Sequence, residues 1–253
     1  MRFVGIWLAA ACAATAANAA DIEQPNIPPP VPPAVYAPAP PAIYNWTGFY
    51  IGVDGGYGWA SSTGRATVAG GPFNGLSVAN SASVQGAIAG GVIGFNWQTG
   101  PLVLGIEGDG EWSGQSNTLN FSCGAGCNLS ETGAIKWLAT ARARVGYAFD
   151  RLLIYGTGGV AWLNATDNLN ASAGGITANL LSLSSTPIGF AVGGGVEYAF
   201  TNNISARAEY LFMQAAATAS APIPIVGGTI TETGTIRDNL VRAGINIRLP
   251  ITP

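Results

Sequence analysis

The sequence contains no histidine and few charged residues. Histidine is absent from all 253 positions, and Asp, Glu, Lys and Arg together make up only 9% of them. Histidine is the commonest general base, a frequent metal ligand and the usual partner of a serine or cysteine nucleophile. We therefore expect a chain that is not an enzyme, not even one that acts on membrane lipid, and that holds no metal or cofactor.

The sequence also lacks a basic stripe and long apolar runs. The net charge of −3 gives no reason to expect nucleic-acid binding, which requires a positively charged surface. The mean hydropathy is +0.31. After the first 20 residues, however, no apolar run approaches the about 20 residues that a membrane helix needs. An apolar chain without such helices predicts strands that face lipid on one side only.

Two segments precede the predicted folded domain. In residues 1–19, Arg2 is followed by an apolar stretch and by Ala17-Asn18-Ala19, a pattern typical of a secretory signal peptide with its cleavage site. Residues 20–43 contain nine prolines between Pro25 and Pro41, which favours an extended leader that joins neither helix nor sheet. The leader is open to two interpretations, an unstructured tail or a spacer that contacts peptidoglycan.

Residues 44–253 are expected to form one all-β domain. Apolar and polar residues alternate with the period of two that is typical of a half-buried strand. In Ile135–Phe149 every odd position is apolar, whereas the even positions include Lys136, Arg142 and Arg144. The eight predicted strands are Gly48–Ala60, Val84–Trp97, Leu102–Trp112, Ile135–Phe149, Leu152–Asn164, Pro187–Phe200, Asn203–Met213 and Arg237–Leu249.

The connections between these strands alternate in length. The short ones are residues 98–101, 150–151 and 201–202, and they are built of turn formers. The long ones, of roughly 20 residues each, are residues 61–83, 113–134, 165–186 and 214–236. This alternation is typical of an outer-membrane barrel with short periplasmic turns and long extracellular loops. We therefore predict an eight-stranded antiparallel up-and-down transmembrane β-barrel with both termini in the periplasm.

The main alternative is a soluble up-and-down barrel of the lipocalin type, in which the apolar faces of the strands point inward. The apolar faces of this chain carry aromatic residues near the strand ends, where the two membrane interfaces would lie. They include Phe49, Trp59, Trp97, Trp112, Phe149 and Phe200. The polar faces carry too few charges to cover a water-exposed exterior. The apolar faces are therefore predicted to meet lipid.

The polar faces would then line the lumen, where an unpaired charge costs several kcal/mol. Neighbouring predicted strands carry charges of opposite sign, which salt bridges can neutralise. The predicted lumen residues are Asp54, Glu107, Asp109, Glu111, Lys136, Arg142, Arg144, Glu197, Arg207, Glu209, Arg242 and Arg248. Because the signs alternate and an eight-stranded barrel is narrow, we expect a salt-bridged plug, with an ion pathway as the alternative.

Cys123 and Cys127 lie in the second long connection, separated by three small residues. In an exported protein such a pair favours a disulfide, because the compartment is oxidising. A metal site would need more ligands than this loop supplies. We therefore predict a local disulfide in a surface loop.

The motif Tyr44-Asn45-Trp46-Thr47-Gly48-Phe49-Tyr50-Ile51-Gly52 resembles the opening of the first strand in the small outer-membrane β-barrel family of alphaproteobacteria, often labelled porin-family or major surface proteins. Further matching segments are Ile93–Trp97, Arg144–Tyr147, Gly195–Tyr198 and Val241–Asn246. The resemblance extends from Tyr44 to about Leu249. It implies an OmpA-like, eight-stranded barrel that is abundant in the outer membrane, supports envelope integrity and exposes surface loops. It implies no catalytic residues.

These features together predict a structural outer-membrane protein with a plugged lumen. A porin-like narrow diffusion channel for small solutes or ions is the alternative. The expected partners are outer-membrane lipid and lipopolysaccharide, the barrel assembly machinery and, through the leader, peptidoglycan.

Overall fold

The structure is a computed structural model that describes residues 44–124, 126–223 and 227–249, without the side chain of Cys123. The predicted signal peptide at residues 1–19 and the predicted leader at residues 20–43 lie outside these residues. No helix within the described ranges has the length and apolar character needed to cross a membrane.

The described residues form nine β-strands. They are β1 Gly48–Ala69, β2 Ser77–Thr99, β3 Leu102–Gly124, β4 Cys127–Phe149, β5 Leu152–Ala173, β6 Ile176–Ser185, β7 Ile188–Ala199, β8 Ile204–Pro222 and β9 Thr229–Leu249. The segments β6 and β7 are separated by Thr186 and Pro187, and a proline has no backbone N–H for a strand ladder.

Eight of these strands close an antiparallel ring. The hydrogen-bonded order is β1, β2, β3, β4, β5, β7, β8 and β9, and β9 pairs with β1 from Phe49↔Leu249 to Ala69↔Thr229. The segment β6 pairs with residues 165–173 of β5, whereas β7 pairs with residues 152–162 of the same strand. The predicted all-β, eight-stranded antiparallel architecture is therefore confirmed.

The ring has an apolar outer belt. On β1, Phe49, Ile51 and Val53 are 47–67% exposed, whereas Tyr50 and Asp54, on alternate positions, point inward and are buried. Phe49 and Trp59 lie ten residues apart and bound the belt on this strand. That spacing corresponds to about 33 Å along a strand, or about 25 Å along the barrel axis at a tilt of about 40°. The belt therefore matches the height of a transmembrane barrel surface.

We call the end of the ring that carries residues 98–101, 150–151 and 200–203 the turn end, and the opposite end the hairpin end. At the hairpin end the strands continue well beyond the belt, so most of each predicted long loop is strand. Cross-strand hydroxyl pairs accompany this extension, for example Thr118–Thr132 at 3.0 Å and Ser220–Thr231 at 2.9 Å. Sequence patterning did not reveal these strands because water contacts much of both faces and the apolar alternation fades.

A β-bulge changes which residues of β4 face the lumen. The register of β4 shifts against β5 between Ile135 and Trp137, and that of β3 shifts against β4 between Trp112 and Gln115. Ile135, predicted on the outer face with Trp137, is only 3% exposed and belongs to the lumen. The prediction for Ile135 was wrong because strict alternation cannot account for the extra residue of a bulge.

The wall of the ring is interrupted above the belt. Within the described residues β6 pairs only with β5, and the upper part of β8, residues 216–222, pairs only with β9. Two strand edges with unpaired backbone groups therefore lie at this position of the hairpin end.

Candidate functional site

The lumen contains four layers, which we name from the turn end upward. The stopper is Tyr44, Asn45 and Trp46. The ion-pair network is Asp54, Glu107, Asp109, Glu111, Arg142, Arg144, Glu197, Arg207, Glu209 and Arg242. The apolar layer is Ala60, Ile88, Ile135, Leu138, Ala161, Leu163, Ala191, Leu211, Met213, Ala215, Ile236 and Leu240. Above it lies an open vestibule at the hairpin end.

Two arginines form the centre of the ion-pair network. Arg142 of β4 contacts Glu107, Asp109 at 2.7 Å and Glu209 at 2.7 Å. Arg242 of β9 contacts Glu111, Asp109 at 3.0 Å and Glu209 at 2.7 Å. These contacts cross the lumen from β3 and β4 to β8 and β9, so the network ties opposite walls together.

Arg144 and Arg207 extend the network toward the turn end. Arg144 pairs with Glu197 of β7. Arg207 pairs with Asp54 of β1 and, at 2.8 Å, with Glu107. The side chains of these ion pairs are at most 2% exposed. Burial of this extent means that removing one partner leaves an uncompensated charge, at a cost of about 3–5 kcal/mol.

Several neutral side chains that were not among the predicted lumen residues complete the network. Tyr50 donates to Glu107 at 2.7 Å, and Tyr155 donates to Glu209 at 2.8 Å. The other members are Thr140 on Asp109, and Ser205 and Asn246 on Glu197. Each of them lies at an odd or even position that places its side chain on the lumen face of its strand, as for the charged residues. This position along the strand is the feature of the sequence that could have identified them.

Inward-facing glycines make room for the two tyrosines. A Cβ atom on Gly94 would lie 2.4 Å from the Tyr50 hydroxyl oxygen, and one on Gly195 would lie 2.8 Å from the Tyr155 hydroxyl oxygen. Side chains at these two glycines would displace the rings. Part of the high glycine content is therefore explained by large side chains that cross a narrow lumen.

The structure places two predicted network members elsewhere. Lys136 lies at the bulge of β4 and is exposed, and it forms no ion pair within the described part of the chain. The bulge turns this side chain outward, so its assignment to the lumen is corrected. Arg248 is buried in the lumen but contacts the stopper instead of an acidic residue. It lies closer to the turn end than the carboxylates do.

The stopper is bound to the short turns of the turn end. The backbone N–H of Tyr44 donates to Asp150 at 2.8 Å, and that of Trp46 donates to the side-chain oxygen of Gln98 at 2.6 Å. The Tyr44 hydroxyl donates to the carbonyl of Asn202 at 3.3 Å. All three short turns therefore contact the stopper.

Aromatic and cationic packing reinforces these hydrogen bonds. Trp46 is 0% exposed, and its indole N–H donates to the carbonyl of Asp150 at 3.0 Å. The Arg248 guanidinium donates to the Tyr44 hydroxyl at 2.6 Å and lies 4.8 Å from the centres of both aromatic rings. The stopper thus fills the turn-end mouth with two large rings and one cation.

The apolar layer closes the lumen on the other side of the ion-pair network. Leu163, Leu211, Met213 and Leu240 are each 0% exposed and come from three different strands. Gln115 and Asp238 are also fully buried at this level, and the Gln115 amide donates to Asp238 at 3.1 Å. A water-filled path through this layer would require several large side chains to move.

The vestibule above the apolar layer carries three carboxylates on three strands, Glu131, Asp167 and Glu232. Partial burial, followed by the nearby charge of Glu131, raises the pKa of Asp167 above its ordinary value. Partial burial, Asp167 and Glu131 likewise raise the pKa of Glu232, while a hydrogen bond from Asn80 at 3.2 Å opposes the shift.

The predicted disulfide lies at the tip of the β3–β4 hairpin. Cys127 is disulfide-bonded, and the side chain of Cys123 lies outside the described residues. Cys127 pairs through its backbone with Gly124, directly after Cys123. The pairing of Cys123 with Cys127 stays a prediction.

Known proteins share these features of sequence and fold. A family model for the outer membrane protein β-barrel domain matches residues 31–244. The chain is 35% identical over 229 residues to a 31 kDa outer-membrane immunogenic protein of Brucella melitensis, covering 84% of this chain and 86% of the relative. It is 34% identical over 119 residues to a 22 kDa outer membrane protein of Rhizobium leguminosarum bv. viciae, covering 47% of this chain and 48% of the relative.

Solved structures with a similar arrangement include the outer membrane protein OprG of Pseudomonas aeruginosa, with a TM-score of 0.44 and 12% identity over 82% of this chain and 100% of that one. The match to the family model and the identity to the Brucella protein both cover most of the sequence. The chain therefore belongs to the outer membrane protein β-barrel domain family and is an outer-membrane β-barrel protein.

Proposed function

We propose that this protein is a structural component of the outer membrane whose closed barrel supports the envelope and presents hairpins at the cell surface. The observation that carries the proposal is the closure of the lumen by three successive layers. The stopper fills the turn end, the ion-pair network crosses the middle, and the apolar layer holds side chains that are 0% exposed. A diffusion pathway would have to open all three.

We further propose that the turn end faces the periplasm and the hairpin end faces the exterior. Short turns on the periplasmic side are general in outer-membrane barrels. Tyr44 lies at the turn end, so the proline-rich leader would extend from there toward peptidoglycan, its proposed partner. The word "immunogenic" in the name of the Brucella relative supports exposure of the hairpins at the cell surface.

The proposed partners follow from the outer surface. The apolar belt would contact outer-membrane lipid, and the hairpin side of the belt would lie at the level of lipopolysaccharide. Assembly would depend on the barrel assembly machinery, because a ring that closes β9 onto β1 must be completed within the membrane. We propose no catalytic role.

A second candidate function is a narrow diffusion channel that prefers cations. Six carboxylates and four guanidinium groups form the ion-pair network, so acidic groups are in excess. Asp238 and the three vestibule carboxylates add negative charge along the same axis. Rings of acidic side chains favour cation passage in channels. This candidate requires the apolar layer to open.

Liposome swelling separates the two candidates. Purified protein would be reconstituted into liposomes loaded with an impermeant polymer and diluted into isosmotic sugars or amino acids of increasing size. We expect swelling no faster than that of protein-free liposomes, whereas a general porin, reconstituted in parallel as the positive control, produces rapid swelling. Swelling that depends on solute size would support the channel and contradict the structural role.

A further inference from the structure

The vestibule contains a concave cavity. It has a volume of about 380 Å³ and is bounded by residues of β1, β2, β3, β4, β5 and β9. Its apolar lining includes Val84, Ile135 and Ile236, the last two of which also belong to the apolar layer. Serine and asparagine side chains and three carboxylates complete the lining. Cavities of about 300–1,000 Å³ that combine apolar walls with placed polar groups are typical of small-molecule sites.

Apolar side chains remain exposed on the inner wall of the vestibule. Leu119 lines the cavity and is 47% exposed. Phe121 and Val78 lie on the inward faces of β3 and β2, which keep an unbroken register at these positions, and they are 51% and 53% exposed. Exposed apolar surface within a concavity marks a binding surface more specifically than scattered apolar residues on a convex surface do.

The carboxylates of the vestibule indicate that its ligand carries positive charge. Within the described residues Glu131, Asp167 and Glu232 form no salt bridge, although every carboxylate of the ion-pair network below them does. The described residues also contain no group of three Cys, His, Asp or Glu that could hold one metal ion. The three carboxylates are therefore suited to separate points on a larger cation.

We propose that the vestibule binds a small cationic amphiphile, a molecule with an apolar body and at least one ammonium or guanidinium group. The apolar body would contact the wall formed by Val84, Leu119 and Ile135. The cationic group would lie among the three carboxylates, whose charge in a partly desolvated site attracts it more strongly than it would in bulk water. This site opens toward the hairpin end, so the proposal holds whether or not the lumen conducts.

The test uses dansylcadaverine, which joins an apolar dansyl ring system through a five-carbon chain to one ammonium group. Its neutral counterpart is N-pentyl dansylamide (below, dansylamide), which keeps the ring system and the chain but lacks the ammonium group. The full-length mature protein would be reconstituted in nanodiscs of zwitterionic lipid, and binding would be followed by dansyl fluorescence against empty nanodiscs. We expect saturable binding of dansylcadaverine at one site, and binding of dansylamide at least about tenfold weaker, since a charge contact is lost.

Two variants separate the contribution of charge from that of volume. Asp167→Asn combined with Glu232→Gln keeps the cavity but removes two charges, and should weaken dansylcadaverine binding at least about tenfold with no effect on dansylamide. Ala165→Phe keeps the charges but fills the cavity, and should abolish binding of both probes. The matched charge control is Asp21→Asn with Glu23→Gln, which removes two carboxylates from the leader and should leave binding unchanged.

Correct folding of each variant would be checked by its heat-dependent shift in gel mobility. Equal affinity for the charged and neutral probes would overturn the proposal, because charge would then play no part. Retention of full dansylcadaverine affinity in the Asp167→Asn, Glu232→Gln variant would overturn it equally, and so would fluorescence no greater than that of empty nanodiscs.

Discussion

At the residue scale, the lumen contains buried charged side chains, each of which is stable there only because it contacts side chains of opposite charge. Arg242 contacts three carboxylates of two other strands, and no water is available at 1% exposure to replace them. The gain from such pairs over apolar residues is small, but breaking one is costly. The network therefore specifies one arrangement of the strands more than it adds to the free energy of folding.

Arg242→Met should lower the free energy of unfolding by about 3–5 kcal/mol, because Glu111, Asp109 and Glu209 lose their shared partner. Urea-induced unfolding in lipid vesicles, followed by tryptophan fluorescence, measures the change. The matched control is Arg237→Met on the same strand, whose side chain is exposed, with an expected effect within about 0.5 kcal/mol. Equal effects of the two substitutions would show that the network contributes no more than surface charge does.

The vestibule carboxylates make the stability of the hairpin end depend on pH. The raised pKa of Asp167 means that the folded state binds a proton more readily than the unfolded state. Stability should therefore increase as the pH falls through the raised pKa toward the ordinary one, and should stay at its lower level once the pH has risen past the raised pKa. The protection factor of a backbone amide is its intrinsic exchange rate divided by its observed rate. For amides in the upper part of β5 we expect this factor to be larger at pH 5 than at pH 8.

Asp167→Asn should remove most of this pH dependence and slow exchange at pH 8, because the mutual repulsion with Glu131 and Glu232 is relieved. Asn168→Ala, next to it on β5, serves as the control and should retain the pH dependence. An unchanged pH profile in the Asp167→Asn variant would show that this carboxylate is not responsible.

At the element scale, the bulge of β4 decides which side chains enter the lumen. Ile135→Cys should react much more slowly with a water-soluble maleimide than Lys136→Cys does in the folded protein, because the side chain at position 135 is 3% exposed whereas that at position 136 is exposed. The background would carry Cys123→Ser and Cys127→Ser, which we expect to leave barrel folding unchanged, since the predicted disulfide is local. Reaction at position 135 but not at 136 would contradict the bulge.

The stopper belongs to the same scale, because it joins the segment before β1 to all three short turns. Trp46→Ala should cost about 3–5 kcal/mol, as expected for a fully buried tryptophan, and should accelerate hydrogen exchange in residues 98–101 and 150–151. Trp97→Ala, at the same end but 58% exposed, is the control and should have a smaller effect. Unaltered exchange in the turns of the Trp46→Ala protein would contradict the proposed anchoring.

Patterns of period two predicted the transmembrane part of each strand, because lipid on one side and a packed lumen on the other impose opposite polarity on successive residues. They did not predict the parts of the strands above the belt. There both faces contact water, and backbone hydrogen bonds between the strands hold the structure without a pattern of polar and apolar residues. They also could not predict a bulge such as that at Lys136, since the local sequence alternates through it without interruption. Closure of the last strand onto the first was predicted as part of the barrel, from the apolar strand faces and the alternating lengths of the connections.

The sequence predicted the charged residues of the lumen but not its tyrosines or its apolar residues. Charged lumen residues stand out in an apolar chain, so Glu107, Arg142 and Arg242 were identified from parity alone. Tyr50 and Tyr155 were missed because a tyrosine suits either face of a membrane strand. The apolar layer was missed as well. An apolar residue such as Leu163 or Leu211 at an inward position departs from the alternation of outward apolar and inward polar residues.

At the scale of the whole molecule, the three layers act in series. An eight-stranded barrel has an interior that side chains just fill, and this chain fills it with aromatic, ionic and aliphatic groups in turn. The outer surface is left to contact lipid, and in the orientation that we propose the hairpins contact the exterior. These features support the proposed structural role, with the proposed recognition confined to the open end.

The conductance of single purified barrels in a planar lipid bilayer tests this closure most directly. With all three layers in place, we predict a baseline indistinguishable from that of the protein-free bilayer at moderate voltage and salt, apart from rare brief events. Stable, reproducible current steps of uniform size from the unmodified protein would contradict the closed lumen and favour the cation channel.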